Sequence, residues 1–266
     1  MPVAKAEGIV LRQQPLGEAD RIVTLLTREQ GRVRAAARGV RRPTSRLAGR
    51  LEPFAHVQLL LARGRTFDVI AQVEPIRIFT GIRGHLLRGA YAAYLVELVE
   101  RGLPERDPQE PIFALVLEAL DGLDRGGDED AEMVSLRFAV RLSAALGYQP
   151  EAAGCVACGR VLPQTTGRAP QWAFSTAGGG ALCPGCRGED PEAVPVSAGA
   201  LAACDYLLRA PDGRSDRLRL PAMQRGELAA LVQAHLEHRL EAKLRSPVVI
   251  RRLRQAPAEP HVRPQF

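Results

Sequence analysis

Two Cys-x-x-Cys motifs constrain this 266-residue sequence more than any other feature. One consists of Cys155 and Cys158, the other of Cys183 and Cys186, and 24 residues lie between them. A two-residue spacer lets one turn of backbone present two thiolates to one ion, and two such turns complete the tetrahedron that zinc prefers. Glycines and prolines in the connection predict a small loop or hairpin there. The sequence therefore predicts one structural zinc ion with four sulfur ligands and no open coordination position.

Other uses of these cysteines fit the sequence less well. A disulfide framework belongs to oxidising compartments, but the N-terminus shows no apolar signal segment and the cysteine count of 5 is odd. We therefore expect a cytoplasmic protein. A thioredoxin-type pair uses a single Cys-x-x-Cys at a strand-to-helix junction. A zinc deaminase needs His-x-Glu upstream of Pro-Cys-x-x-Cys, whereas the only such tripeptide here lies at 235–237, and Leu182 precedes Cys183.

The positive charge is concentrated at the two ends of the chain. The overall net charge is +6, with an isoelectric point near 9.4. Residues 1–80 carry 14 basic and 7 acidic side chains, and residues 197–266 carry 12 and 7. The intervening residues 81–150 are acidic, with 7 basic and 12 acidic side chains. This asymmetry predicts a polyanionic partner. No apolar run approaches the roughly 20 residues that a membrane span needs, so we expect no membrane contact.

The first 80 residues predict strands. Short alternating or β-branched runs are separated by turn signals, and one long connection covers residues 39–53. The predicted strands cover residues 8–14, 20–27, 31–38, 57–61 and 67–73. Five short strands with one long connection are typical of a small Greek-key barrel of the oligonucleotide-binding (OB) type.

Arginines accumulate on the third predicted strand and in the connection that follows it. Between Arg28 and Arg50 there are eight arginines and a single acid, Glu29. OB barrels bind single strands on this side, so we expect a phosphate-binding groove there. The predicted DNA-binding residues are Arg32, Arg34, Arg38, Arg41, Arg42, Arg46 and Arg50. The alternative is a solvated strand face followed by a disordered loop. Phe54 and Phe67 are interpreted as core, so binding should be electrostatic and sequence-independent.

Helical patterns occupy most of the rest of the chain. Apolar stripes predict helices near residues 87–98, 112–123 and 131–146, then after Ser197 as N-cap and over about 223–245. Cys204 is expected to be a core residue, and His235 and His238 are expected to be satisfied or solvated rather than ligands. We divide the chain into an OB-fold domain (1–80), a helical domain in two parts (81–150 and 195–250), an inserted zinc module (151–194) and a basic, flexible tail (251–266). The predicted fold class is therefore a multidomain α+β protein.

The sequence offers no catalytic constellation. Glu18 and Asp20 are close together, but no second carboxylate cluster or histidine accompanies them as a nuclease would require. We therefore expect that the protein is not an enzyme.

A further signal is spread over the chain to about residue 250, in the segments 7–12, 17–23, 37–43, 51–54, 137–150, 155–159 and 236–246. Together these segments resemble the RecO family of bacterial recombination mediators. This resemblance implies an N-terminal OB-fold, a helical domain and a zinc module. It also implies binding of single- and double-stranded DNA, strand annealing, and partnership with RecR in loading RecA onto gaps coated by single-strand-binding protein (SSB). Family members recognise the acidic SSB tail through the helical domain, which makes Arg137 and Arg141 candidate contacts here.

Two other classes of function remain open at this point. The first is a zinc-stabilised adaptor that binds acidic protein segments or RNA and does not anneal strands. The second is a zinc enzyme, which would need an open metal position that a four-cysteine set does not provide.

Overall fold

The computed structural model describes residues 3–162, 171–210 and 218–255. It contains an N-terminal closed barrel, a set of helices and a small second sheet that carries the cysteines. The predicted α+β architecture is therefore confirmed.

The barrel has five strands in the order β1-β2-β3-β5-β4. The strands are β1 Val3–Leu16, β2 Asp20–Thr27, β3 Gly31–Ala37, β4 His56–Ala62 and β5 Asp68–Arg77. The first strand is longer than predicted because its first half pairs with β4 and its second half pairs with β2. A short parallel contact between β3 and β5 closes the barrel. This is the five-stranded topology that the sequence pattern predicted.

Alternating side chains fill the barrel, as Val57, Leu59 and Leu61 on β4 illustrate. A regular alternation over residues 67–73 would place Val69 and Val73 on the same face of β5, but the buried residues are Asp68, Ile70 and Val73, so this alternation is wrong at the start of the strand. The pairing of β4 with β5 shifts register between Leu60 and Leu61, and such a bulge moves the following residues to the opposite face.

Seven helices occur in the described ranges. They are α1 Thr80–Arg83, α2 Leu86–Gly102, α3 Glu110–Arg125, α4 Asp128–Ala145, α5 Ala198–Arg209, α6 Ala222–Arg239 and α7 Ser246–Gln255. The predicted stripes on α2 and α3 are buried, with Tyr91, Leu95 and Val116 among them. Ser197 caps α5 as predicted, because its side-chain oxygen accepts a hydrogen bond from the Ala200 amide. Cys204 is fully buried, which confirms its interpretation as a core residue.

The helix predicted over residues 223–245 is too long. The observed helix α6 ends at Arg239, and Glu241 takes a left-handed conformation with φ 49°. The Glu237 carboxylate then accepts a hydrogen bond from the Leu244 amide at 3.2 Å and pairs with Lys243 at 2.8 Å. This local network turns the chain into α7.

The flexible tail predicted from residue 251 is wrong for residues 251–255, which complete α7. Glu97 on α2 accepts the backbone amides of Arg245 and Ser246, each at 2.8 Å, and so fixes the start of this helix. Farther along, Ile250 is buried and Arg254 pairs with a carboxylate of α4. Residues 256–266 lie outside the described part of the chain.

The barrel interior has its own apolar core, and the outer face of the barrel shares a second core with the helices. Ile9, Leu11 and Leu26 from the outer face of the barrel belong to the same buried cluster as the helices. The segment between α2 and α3 adds polar contacts, since Arg106 donates its amide to the Arg32 carbonyl (2.9 Å) and pairs with the buried Asp68 (3.0 Å). These contacts fix the helical domain against one side of β3.

His235 gives the stability of the helical domain a predicted dependence on pH. Its Nε2 lies 2.7 Å from the Tyr148 carbonyl oxygen, and its ring packs edge-on against Phe174. Burial lowers the pKa of this imidazole, outweighing the hydrogen bond to Tyr148, while the nearby charges of Arg239 and His238 lower it further. A lowered folded-state pKa means that the stabilisation is complete above about pH 6.5 and is lost as the pH falls through the folded-state pKa.

We therefore expect the free energy of unfolding in urea to fall between pH 7.5 and pH 5.5. The decrease should be smaller in His235→Gln, which cannot titrate. The matched control is His238→Gln, because His238 lies on the same helix but is exposed. It should retain most of the wild-type pH dependence, since the charge of His238 is the smallest of the influences on the pKa of His235. Equal pH profiles for wild type and His235→Gln, with metal content verified at each pH, would contradict this assignment.

Within the described residues, no helix combines the length and apolar character that crossing a membrane requires.

Candidate metal centre and nucleic-acid interface

The four clustered cysteines lie at the end of one strand and in the turns that follow two strands of a four-stranded sheet, which interrupts the helical domain. Its strands are β6 Glu151–Cys155, β7 Trp172–Ser175, β8 Gly180–Leu182 and β9 Val194–Val196, in the order β6-β8-β7-β9. Strands β7 and β8 form an antiparallel hairpin, as predicted for the connection between the two motifs. The glycines at 178–180 provide its turn, whereas Pro163, Gly167 and Pro170 lie outside the described residues.

The pairing of β6 with β8 brings the two motifs together. The two strands are parallel, with Cys155 opposite Ala181, so the residues that follow them emerge at the same edge of the sheet. Each motif then folds into a tight turn. The Gly159 amide donates to the Cys155 carbonyl at 2.8 Å, and the Cys186 amide donates to the Cys183 carbonyl at 2.9 Å. Gly159 has φ 72°, a conformation that glycine adopts at little cost.

The four sulfurs form a compact cluster whose dimensions suit a tetrahedral metal ion. All four Sγ atoms lie within 4.8 Å of one another, and those of Cys158 and Cys183 are 3.7 Å apart. Four sulfurs bound to zinc at about 2.3 Å would be separated by about 3.8 Å along each tetrahedron edge. The side chains of Cys155 and Cys183 are buried, while Cys158 is exposed. The donor set therefore fits a closed metal site, as predicted.

Hydrogen bonds around the cluster favour the thiolate form of one ligand. Burial raises the pKa of Cys155, but the amides of Cys183, Cys158 and Ala157 outweigh it and lower this pKa to about 6. The Cys183 amide lies 3.3 Å from the Cys155 sulfur. The pKa of Cys186 is raised, chiefly by hydrogen bonds with the thiols of Cys158 and Cys183. A metal ion binds the deprotonated ligands, so metal affinity at this cluster will fall as the pH falls.

The cysteine sheet shares its core with the helices. Trp172 and Phe174 on β7 are almost fully buried in the same cluster as Leu201 and Leu236 of α5 and α6. At the hairpin turn, Arg239 donates to the Ala177 carbonyl at 3.3 Å. The order of the sheet is therefore coupled to the packing of the helical domain.

The predicted DNA-binding arginines divide into two groups. Arg32 and Arg34 lie half-buried on the outer face of β3, as the alternation predicted. Arg32 donates through Nε to the Leu103 carbonyl at 3.1 Å, and the Arg34 guanidinium lies 4.8 Å from the centroid of the Phe67 ring. Both side chains are therefore held in place by neighbours.

The second group comprises five arginines in the connection after β3, which we call the arginine loop (residues 38–50). All five are exposed, and none pairs with a carboxylate of the described residues. They are Arg38, Arg41, Arg42, Arg46 and Arg50. The loop is anchored where Asp20 accepts the Gly39 amide at 2.7 Å, and Arg50 donates to the Val73 carbonyl at 3.1 Å. A supported loop with unpaired guanidinium groups suits binding of phosphates.

Arg137 and Arg141 lie on α4 and are largely enclosed. Arg137 pairs with Glu118 at 2.8 Å, and its side chain is 11% exposed. Arg141 donates to the Leu207 carbonyl at 3.3 Å. Arg137 also borders a groove of about 380 Å³ between α3 and α4, which Arg125 and Arg219 line as well. Arg137 is therefore held against α3 and Arg141 against α5.

Sequence reasoning missed a cleft between the barrel and α2. Arg12 and Arg101 line it together with Arg32, Arg34 and Arg245. These arginines lie far apart in the sequence, so no local pattern could have shown that they share a surface. Phe54 also lines this cleft, so it packs against the core as predicted but is only half-buried. Phe67 is likewise half-buried, and it supports Arg34.

A closed five-stranded barrel with an arginine loop, joined to helices that carry a four-cysteine cluster, defines a multidomain protein of the OB-barrel class. Comparison with known proteins narrows this class. Residues 1–79 match the family described as Recombination protein O N terminal, and residues 83–247 match Recombination protein O C terminal. The chain belongs to the RecO family of DNA repair proteins.

Relatives of similar length support this assignment. A DNA repair protein RecO from Symbiobacterium thermophilum is 38% identical over 256 residues, which cover 96% of this chain and 100% of that protein. The protein of the same name from Pelotomaculum thermopropionicum is 38% identical over 258 residues, or 97% of each chain. The one from Roseiflexus sp. is 39% identical over 253 residues, covering 95% of this chain and 87% of the relative. The resemblance seen in the sequence is confirmed.

Proposed function

We propose that this protein is a recombination mediator that binds single- and double-stranded DNA and anneals complementary strands. In this role it acts with RecR to help load RecA onto gaps coated by SSB. The observation that carries the proposal is the arginine loop, in which five exposed guanidinium groups have no carboxylate partner among the described residues. Membership in a family whose named relatives are DNA repair proteins supports the same conclusion.

The composition of the arginine loop suits annealing. Residues 38–50 contain five arginines and no aromatic side chain. Guanidinium groups neutralise phosphates, whereas aromatic side chains stack on bases and hold them away from a partner strand. A surface of this kind brings two backbones together while the pairing edges of most bases stay free.

We propose that the metal is zinc and that its role is structural. Four sulfur ligands complete a tetrahedral zinc site and leave no position for a substrate or an activated water. The cluster orients the β7–β8 hairpin against α5 and α6. On this proposal the protein has no catalytic chemistry of its own.

The proposed partner site for the SSB tail includes Arg137 and Arg141 beside the groove between α3 and α4. We expect Arg137→Ala to weaken binding of an acidic SSB tail peptide by about ten-fold, since a charge-assisted contact is worth about 1.5 kcal/mol or more. Peptide binding is measured by fluorescence anisotropy. The matched control is Arg160→Ala, an exposed arginine beside the cysteine sheet, which should bind normally. Unchanged affinity in Arg137→Ala, with an unchanged unfolding temperature, would remove this residue from the site.

The mediator role is tested by reconstitution. RecA, SSB-coated single-stranded DNA and RecR are mixed with and without this protein, and RecA filament assembly is followed through ATP hydrolysis. The proposal predicts that the lag before assembly shortens only when both this protein and RecR are present. A lag that neither protein alters, alone or together, would contradict the loading role.

A further inference from the structure

The barrel and the helical domain enclose a basic cleft of about 650 Å³. One wall is the outer face of β1, β2 and β3, and the other, the helical wall, is α2, Glu105 in the segment that follows it, and the start of α7 at Arg245 and Ser246. Arg12, Arg32 and Arg34 belong to the barrel wall, whereas Arg101 and Arg245 belong to the helical wall. Phe54 also lines the cleft. We call this space the interdomain cleft.

Two departures from regular backbone structure meet at this cleft. Strand β1 is bulged between Val10 and Arg12, so that Leu11 and Arg12, which are consecutive, both line the cleft instead of facing opposite sides. Directly beside the bulge, Phe54 has φ 70°, and its amide donates to the Val10 carbonyl at 2.7 Å. A left-handed conformation is uncommon for a bulky aromatic residue, and such conformations concentrate at binding sites.

The cleft is lined by an aromatic ring on which a base can stack and by guanidinium groups that can bind a phosphate, and one nucleotide offers both. Phe54 is half-buried, packs against the buried cluster to which Leu11 and Val96 belong, and also lines the cleft. Arg12 is exposed and has no carboxylate partner among the residues described, while the Arg34 guanidinium is already oriented by Phe67. An aromatic ring beside guanidinium groups is the combination by which proteins stack bases and track phosphates of single strands.

We propose that the interdomain cleft holds a single nucleotide of a DNA single strand, with the base stacked on Phe54 and its phosphate bound by Arg12 and Arg34. This inference rests on the proposed function, because it assumes that single strands bind to the barrel. It adds an aromatic contact outside the arginine loop, and this contact fixes which nucleotide of the DNA strand lies in the cleft.

The acidic residues of the helical wall favour a nucleotide over an acidic peptide. Glu97 already accepts the amides of Arg245 and Ser246. Glu100 and Glu105 remain on the helical wall, where their carboxylates can accept hydrogen bonds from amino groups of a base. The same carboxylates would repel a peptide that carries several acidic side chains. They also direct the phosphate towards the arginines of the barrel wall.

The test compares Phe54→Asn with Phe54→Trp. Asparagine tolerates the left-handed conformation and has no ring, whereas tryptophan keeps a stacking surface. Binding of a single-stranded oligonucleotide is compared with binding of a matched oligonucleotide of abasic sites. We expect Phe54→Asn to lose about ten-fold in affinity for the normal oligonucleotide and nothing for the abasic one. Phe54→Trp should bind both as wild type does. The unfolding temperature of each variant verifies folding.

The fluorescence of 2-aminopurine in the oligonucleotide adds a readout of stacking. Wild type should quench the probe at one position of the strand, and Phe54→Asn should not. If wild type binds single strands but Phe54→Asn leaves affinity and quenching unchanged, the cleft proposal is wrong and the proposed function stands. If wild type binds no single strands at all, the proposed function itself fails. If Phe54→Asn loses binding of an acidic peptide but still binds the oligonucleotide normally, the cleft is a peptide-binding site and the proposal of a bound nucleotide is wrong.

Discussion

Replacement of Cys183 by serine is expected to abolish metal binding and to disorder the cysteine sheet. Cys183 is buried, and its sulfur lies within 4.8 Å of the other three. Metal binding at structural zinc sites contributes on the order of 10 kcal/mol to folding in zinc-finger peptides. Because the sheet shares Trp172 and Phe174 with the core of the helical domain, we expect the loss to lower the unfolding temperature of that domain as well.

Metal content and local protection from hydrogen exchange test this prediction. Wild type should contain one zinc per chain, and Cys183→Ser should contain none, with faster exchange in residues 151–162 and 171–196. The matched control is Cys204→Ala, which removes a buried thiol that lies outside the cluster. It should keep its zinc. A Cys183→Ser variant with normal exchange protection and no metal would show that packing alone holds the sheet.

The second large effect is expected at the arginine loop. Replacing Arg38, Arg41 and Arg42 together with alanine removes three exposed charges that have no carboxylate partner among the described residues. For single strands, the slope of log affinity against log salt is about −0.7 per neutralised phosphate. The triple variant should therefore flatten the slope by about 2, which corresponds to a loss of roughly a hundred-fold in affinity at 0.1 M salt.

A charge-matched control separates local contacts from total charge. Replacing Arg83, Arg160 and Arg209 with alanine removes the same net charge from exposed positions outside the barrel. Affinity is measured by anisotropy of a labelled oligonucleotide from 0.05 to 0.5 M salt. The control should retain most of the wild-type slope. Equal flattening in both triple variants would mean that the DNA contact is diffuse and is not centred on the loop.

The sequence predicted the barrel and the cysteine cluster well because their signals are local. Alternation with period two marks the barrel strands, and each Cys-x-x-Cys motif is a single turn whose geometry is set by its own spacing. The hairpin between the motifs followed from the turn residues at 178–180. The parallel pairing of β6 with β8, which brings the two turns together, could not be predicted from the sequence and is seen only in the structure.

The errors arose where distant contacts decide the structure. Asp68 is buried because the pairing of β5 with β4 contains a bulge. The sequence of β5 alone does not show where this shift of register occurs. Glu97 on α2 fixes the start of α7 from 149 positions away, and no local pattern showed that this helix continues past residue 250, where we predicted a flexible tail. Phe54 resembled a core residue because its exposure depends on the opposing helix.

Strand annealing is the activity that most directly distinguishes a recombination mediator from an adaptor. Two complementary oligonucleotides, labelled with a fluorescent donor and an acceptor, are mixed with and without the protein across a salt series. We expect the protein to accelerate pairing, salt to suppress this acceleration, and the triple variant of Arg38, Arg41 and Arg42 to lose it. Equal rates of pairing with and without the zinc-loaded protein, at every salt concentration, would contradict the mediator role and favour an adaptor that binds acidic protein segments.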